Sequence, residues 1–117
     1  MHEYAIVESI VSSMLDAIQK QNPTKVVSVR FRRGSAFSED AFRQAYGALT
    51  SGTLLEEAPV EIETVNRDFD CACGHRQVIT SDDLIGHMFS CPKCGATLEV
   101  DEAHDLELVE LLAEDDS

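Results

Sequence analysis

Basic residues are scarce in this chain, and that scarcity limits what it can bind. Nine Lys and Arg stand against 22 Asp and Glu, a formal net charge of −13 over 117 residues with His neutral. Proteins that hold nucleic acid neutralise phosphates with basic side chains, so no nucleic-acid partner is expected. No membrane partner is expected either, because an anionic lipid surface is disfavoured for the same reason. Also missing is any apolar run near the roughly 18 residues that cross a bilayer. The first twenty residues carry Glu3, Glu8 and Asp16 rather than the basic stretch of a secretory leader. A cytoplasmic chain is therefore expected, with its four cysteines serving as metal ligands or redox thiols rather than disulfides. What remains is ordinary globular composition, 44% hydrophobic and 26% charged, enough for one compact domain or one domain with a small appendage. Cations, metal ions and basic protein patches are the favoured partners.

The pattern along the chain alternates helix and strand. Val7, Ile10, Val11, Met14, Leu15 and Ile18 recur at steps of three and four, which predicts an amphipathic helix over 2–21. Asn22-Pro23 ends it, since the residue before a proline is pushed out of the helical region. From Lys25 to Arg32 the period is two, with Val27, Val29 and Phe31 on one face and Ser28, Arg30 and Arg32 on the other. Ser38 is a predicted N-cap, and Ala41, Phe42, Ala45, Tyr46 and Leu49 continue as a helical stripe up to Ser51-Gly52. Val60, Ile62 and Thr64 then alternate with Glu61 and Glu63 as a second strand. Leu106, Leu108 and Leu112 suggest a third, although Val109 and Leu111 break the alternation and leave a helix open. If it is a strand it returns to the first two, and the segment between is an insertion.

That segment, from Asn66 to about Leu98, holds all four cysteines. Its composition suits a small module held by a metal more than by a core. The pairs stand in Cys71-Ala72-Cys73-Gly74 and Cys91-Pro92-Lys93-Cys94-Gly95, with seventeen residues between Cys73 and Cys91. Two close thiolate pairs on two turns can supply the tetrahedral four-sulfur site that zinc prefers. The glycine after each pair permits a tight turn that aims backbone N–H groups at sulfur. Four buried free thiols, a rubredoxin-like iron site and dithiol redox chemistry are the alternatives, and His75 or His87 could replace a ligand. A closed four-cysteine site has no open position for substrate, so the zinc reads as structural. No enzyme is expected, because His87 and His104 have no partner at motif spacing.

Met1-His2-Glu3 has a chemical reading of its own. A free terminal amine, the following amide nitrogen and the His2 imidazole can form fused chelate rings, and such nitrogen-rich coordination suits Ni(2+) or Cu(2+). Glu3 could add its carboxylate or its own backbone amide. Taken alone, the tripeptide reads more simply as a solvated helix start, with Glu3 complementing the dipole.

The whole order changes that weighing. Initial Met1-His2-Glu3, an amphipathic helix, Lys25-Val-Val-Ser-Val-Arg-Phe31, a helix ending near Leu49-Thr-Ser-Gly-Thr-Leu54, Val60-Glu-Ile-Glu63 and the cysteine pairs together resemble the HypA family of hydrogenase maturation nickel metallochaperones. The resemblance implies an α+β fold: two helices on a small three-stranded sheet, a nickel-binding domain, with an inserted zinc-ribbon-like domain. The boundaries would be 1–66 plus 100–117 for nickel and 67–99 for zinc. It implies Ni(2+) as transported cargo on His2, Glu3 and Met1, and structural Zn(2+) on Cys71, Cys73, Cys91 and Cys94. The implied partners are the GTPase HypB and the large subunit of [NiFe] hydrogenase, with urease also served in some members, and a weak homodimer is compatible with the sequence. Two departures stand out. Asp70 occupies the place of the usual first cysteine, so that Cys71 takes its role, and Arg33-Gly34-Ser35-Ala36 replaces a Gly-Glu-Leu type turn, leaving Glu39 and Asp40 as the nearby acids. The competing reading is an acidic zinc-ribbon adaptor that acts only through protein–protein binding.

Overall fold

A computed structural model of the protein describes residues 3–101 and 105–115. Helix α1 runs over Glu3–Gln21 and buries Ile6, Val7, Val11 and Met14, with Ile10, Leu15 and Ile18 packed beside them. It closes at Asn22, whose N–H bonds the carbonyl of Ile18 at 2.7 Å with φ at +50°. Asparagine tolerates this left-handed cap better than most residues, and Pro23 prevents any continuation. Strand β1 (Lys25–Gly34) follows, then α2 (Glu39–Thr50) and β2 (Val60–Val65). Ser38 caps α2, its Oγ accepting from the N–H of Ala41 at 3.1 Å, and the turn after α2 passes through Gly52 at φ +79°.

The main sheet has the order β2-β1-β8, where β8 spans Leu106–Glu114. β1 and β2 are parallel, with α2 in the crossover that a parallel pair requires, and β8 pairs with β1 antiparallel. The C-terminal segment is thus a strand rather than a helix. Two bulges explain why its alternation looked imperfect and why the regular alternation read in β1 is not the one the strand adopts. The β1–β8 register shifts between Val26 and Ser28 and again between Arg30 and Phe31. An extra residue at a bulge reverses the facing of the residues beyond it. Val26, not Val27, is accordingly buried alongside Val29 and Phe31, and Leu111 rather than Leu112 packs on the core. Both helices cover one face of this sheet. Phe31 is its centre, fully buried, with ring centroids 4.8 Å from Phe42 and 5.5 Å from Tyr46.

Between β2 and β8 the chain makes two small antiparallel sheets. One is the hairpin β3 (Arg67–Asp70) with β4 (Arg76–Ile79); the other is β5 (Leu84–Ile85), β6 (Met88–Ser90) and β7 (Thr97–Glu99). This lobe has a core, contrary to expectation: Phe69, Ile79, Phe89, Cys91 and Val100 are buried together with Ala36, and Phe69 meets Phe89 edge-on at 4.6 Å. Its strands are only two to four residues long, too short for a period to show in the sequence. The molecule is elongated, 60 × 19 × 19 Å, with a radius of gyration of 17.0 Å where a compact chain of 100 residues has about 13 Å.

A short polar joint connects the two lobes. Gly34 N–H donates to the Asp105 carbonyl at 2.6 Å, and Ser35 N–H to that of Val65 at 2.8 Å. The buried Ser35 hydroxyl donates to the Ile79 carbonyl at 2.5 Å and accepts from Arg67 N–H at 2.8 Å.

Candidate metal centre

The β3–β4 turn and the β6–β7 turn face each other, and each carries one cysteine pair. On the first, Cys71 N–H bonds the His75 carbonyl and Gly74 N–H the Cys71 carbonyl, both at 2.9 Å. On the second, Cys91 N–H bonds the Ala96 carbonyl at 2.8 Å and Gly95 N–H the Cys91 carbonyl at 2.9 Å. Gly74 and Gly95 take φ of +98° and +78°, a region costly for any residue with a Cβ, so glycine is what lets each turn close.

These turns bring the sulfurs of Cys71, Cys73, Cys91 and Cys94 within 4.8 Å of one another. Cys71 and Cys94 lie 3.4 Å apart and Cys73 and Cys91 3.7 Å. Thiolates about 2.3 Å from a shared zinc would be separated by about 3.8 Å, so the four sulfurs fit one ion. The one-residue gap of the first pair is no obstacle, because the turn through Gly74 points both sulfurs inward.

Local electrostatics agree with a thiolate site. Burial pushes the Cys91 thiol up, but backbone N–H groups of Cys94 and Lys93, with the thiols of Cys94 and Cys73, outweigh it and bring the value down to about 6. The N–H of His75 pulls Cys73 down, yet the neighbouring Cys71 sulfur and burial outweigh it and leave Cys73 above its ordinary value. Four sulfurs this close cannot all carry charge unless a cation sits among them. A Zn(2+) ion held by Cys71, Cys73, Cys91 and Cys94 would supply that charge and tie the two turns together. With all four ligand positions supplied by the chain, such a site suits a structural ion and would leave no position for substrate.

Neither histidine of the lobe belongs to the group. His75 Nε2 lies 2.6 Å from Gln77 Oε1, and Gln77 in turn donates to Asp83 at 3.2 Å. The four cysteines are the one such group among the described residues. Met1, His2 and His104 lie outside the described residues.

Glu3 is described, and its carboxylate has a partner that sequence reasoning missed. Oε2 accepts the backbone N–H of Ser38 at 2.6 Å, joining the first residue of α1 to the cap of α2. Glu39, one of the two nearby acids, is engaged elsewhere: it pairs with Arg33 at 3.6 Å and with Arg43 at 3.1 Å. Asp40 is exposed in the first turn of α2. No signal in the sequence joins Glu3 to Ser38, 35 residues away, beyond the fact that each stands at a helix start.

No helix among the described residues is long and apolar enough to cross a membrane. Comparison with known proteins completes the picture. The chain is 33% identical to the hydrogenase maturation factor HypA of Roseiflexus sp. over 121 residues, covering 100% of this chain and 95% of that one. It is 37% identical over 98 residues to the HypA of Picosynechococcus sp., covering 82% of this chain and 83% of the relative. Among solved structures, the solution structure of the Ni metallochaperone HypA from Helicobacter pylori superposes with a TM-score of 0.58 at 21% identity, over 99% of this chain and 100% of that one, a likeness of fold. A family model described as "Hydrogenase/urease nickel incorporation, metallochaperone, hypA" matches residues 1–113. With its helices, mixed sheet and four-cysteine cluster, the chain belongs to the HypA family of nickel metallochaperones, maturation factors rather than enzymes.

Proposed function

We propose that this chain carries Ni(2+) on Met1, His2 and Glu3 and delivers it to the large subunit of [NiFe] hydrogenase, with the GTPase HypB as its working partner. Residues 1–66 with 100–117 serve nickel, and 67–99 hold the zinc. The observation that carries this reading is the family match, which starts at Met1 and spans both segments. The cysteine cluster supports it from the other side. Its four sulfurs converge on one another, so they are committed to a resident ion and the cargo needs separate donors. Nitrogen donors at the start of the chain meet the preference of Ni(2+), and a donor set at a chain end can rearrange without disturbing the core. Release follows when the partner offers better ligands.

The test is transfer. Protein loaded with radioactive nickel is mixed with metal-free hydrogenase large subunit, with and without HypB, and the label on the large subunit is counted. The reading expects transfer well above that from free nickel held by a chelating buffer. Transfer no better than the buffer, with zinc retained, would leave the adaptor reading in its place.

A further inference from the structure

We infer that the Glu3 carboxylate is a positioning group for the nickel-binding tripeptide, held by the peptide N–H of Ser38, and not itself a ligand to the ion. The inference rests on the reading above, that nickel is bound by Met1-His2-Glu3.

The Ser38 N–H is a donor fixed before anything binds. Phe37, next to it, is fully buried in the main core. The Phe37 N–H donates to the Gly34 carbonyl at 3.0 Å, and its own carbonyl accepts from Arg33 Nη1 at 2.7 Å. The Ser38 hydroxyl is occupied by Ala41 N–H at 3.1 Å. The free direction of the peptide therefore points its N–H at the positive end of α2, where an anionic acceptor is favoured. Glu3 meets it at 2.6 Å, the short distance of a charge-assisted bond.

The acceptor is fixed as well. Three and four residues on, Ile6 and Val7 are buried in the same core as Phe37. Packing sets where α1 begins, and the carboxylate then bridges that start to α2. Turning Oε2 onto a metal ion would give up the charge-assisted bond and leave a half-buried Ser38 N–H without its acceptor, and the same bond tethers Oε1 toward α2. Both changes oppose binding by the carboxylate. Glu3 thus holds the first turn of α1 in place while nitrogen donors clasp the cargo.

Glu3→Gln and Glu3→Ala separate the two roles. Glutamine keeps a carbonyl oxygen able to accept from Ser38 but has no anionic oxygen for the ion; alanine has neither. Nickel is titrated into the zinc-loaded full chain for wild type, both variants and His2→Ala, and the absorption spectrum of bound nickel is recorded. Glu3→Gln should bind within about threefold of wild type with the same spectrum, while Glu3→Ala weakens by about tenfold or more, the scale of one hydrogen bond to a charged group. Equal weakening of both variants, or a changed spectrum in Glu3→Gln, would make the carboxylate a ligand and overturn the inference. Wild-type affinity in Glu3→Ala would overturn it too. Full affinity in His2→Ala would remove the terminal chelate and the Glu3 role together, whereas lost binding in His2→Ala beside unaltered Glu3→Ala would remove the Glu3 role alone.

Discussion

Oδ1 of Asp105 lies 2.6 Å from Nη1 of Arg67, and the Asp105 side chain is only 5% exposed. The pair joins the first residue of β3 to the approach to β8, 38 positions along the chain. The Asp105 carboxyl also fills the space where Gly34 would carry a side chain. A Cβ built on Gly34 would come within 2.8 Å of Cγ. Glycine at the end of β1 is thus what lets the joint between the lobes close on a buried carboxylate.

Gly34→Ala should therefore destabilise the protein by about 1–3 kcal/mol, the usual cost of forcing an extra methyl into filled space. Arg67→Ala, which takes the guanidinium from a buried carboxylate, should cost a similar amount, about 1–3 kcal/mol, since Arg67 itself is partly exposed. Denaturant unfolding of both variants checks this, and midpoints equal to wild type would contradict the account of the joint.

Phe31 sits where both helices meet the sheet, wholly buried against Phe42 and Tyr46. Phe31→Ala should cost about 3–5 kcal/mol, the range for a large aromatic removed from a core. Thermal unfolding followed by circular dichroism measures it, and a change below about 1 kcal/mol would place the core elsewhere.

Tyr46 should respond to alkali. Burial pushes its phenol up to about 12, whereas the unfolded chain releases the same proton near the ordinary value of about 10. Because the folded value is the higher one, the contribution to stability is complete below pH of about 10 and is lost as pH rises through about 12. The hydroxyl is buried with no hydrogen-bond partner among the described residues, so Tyr46→Phe should change stability at neutral pH by no more than about 1 kcal/mol. Denaturation across that alkaline range should show a decline in wild type that is shallower in Tyr46→Phe; identical slopes would contradict the burial argument.

Chelation of zinc should loosen one lobe and spare the other. Strands β3 to β7 are two to four residues long and share a small core, while the β2-β1-β8 sheet is packed by two helices. Hydrogen exchange after treatment with a strong chelator should lose protection in residues 67–99 and keep it around Val29 and Phe31. Uniform loss across both lobes would show that the sheet depends on the cysteine site.

Periodic elements were legible in the sequence because one face of each is buried. Val7, Val11 and Met14 give α1 away, and Ser38 marks the start of α2 through the chemistry of its own hydroxyl. The paired cysteines were legible because spacing and flanking glycines are local. Val27 and Leu112 were misplaced because a bulge reverses the facing of a strand and leaves no local mark in the sequence. The Glu3–Ser38 and Arg67–Asp105 contacts were invisible for another reason. Each joins residues more than thirty positions apart, and the fold alone brings them together.

The central claim is that cargo and structural ion occupy different donors, nitrogens at the start of the chain and sulfurs in the second lobe. Metal content by mass spectrometry, after nickel loading and desalting of wild type, His2→Ala and Cys91→Ser, tests it most directly. The account predicts that wild type keeps both metals, that His2→Ala keeps zinc and loses nickel, and that Cys91→Ser loses zinc. Nickel retained in His2→Ala, or lost in step with zinc in Cys91→Ser alone, would contradict it.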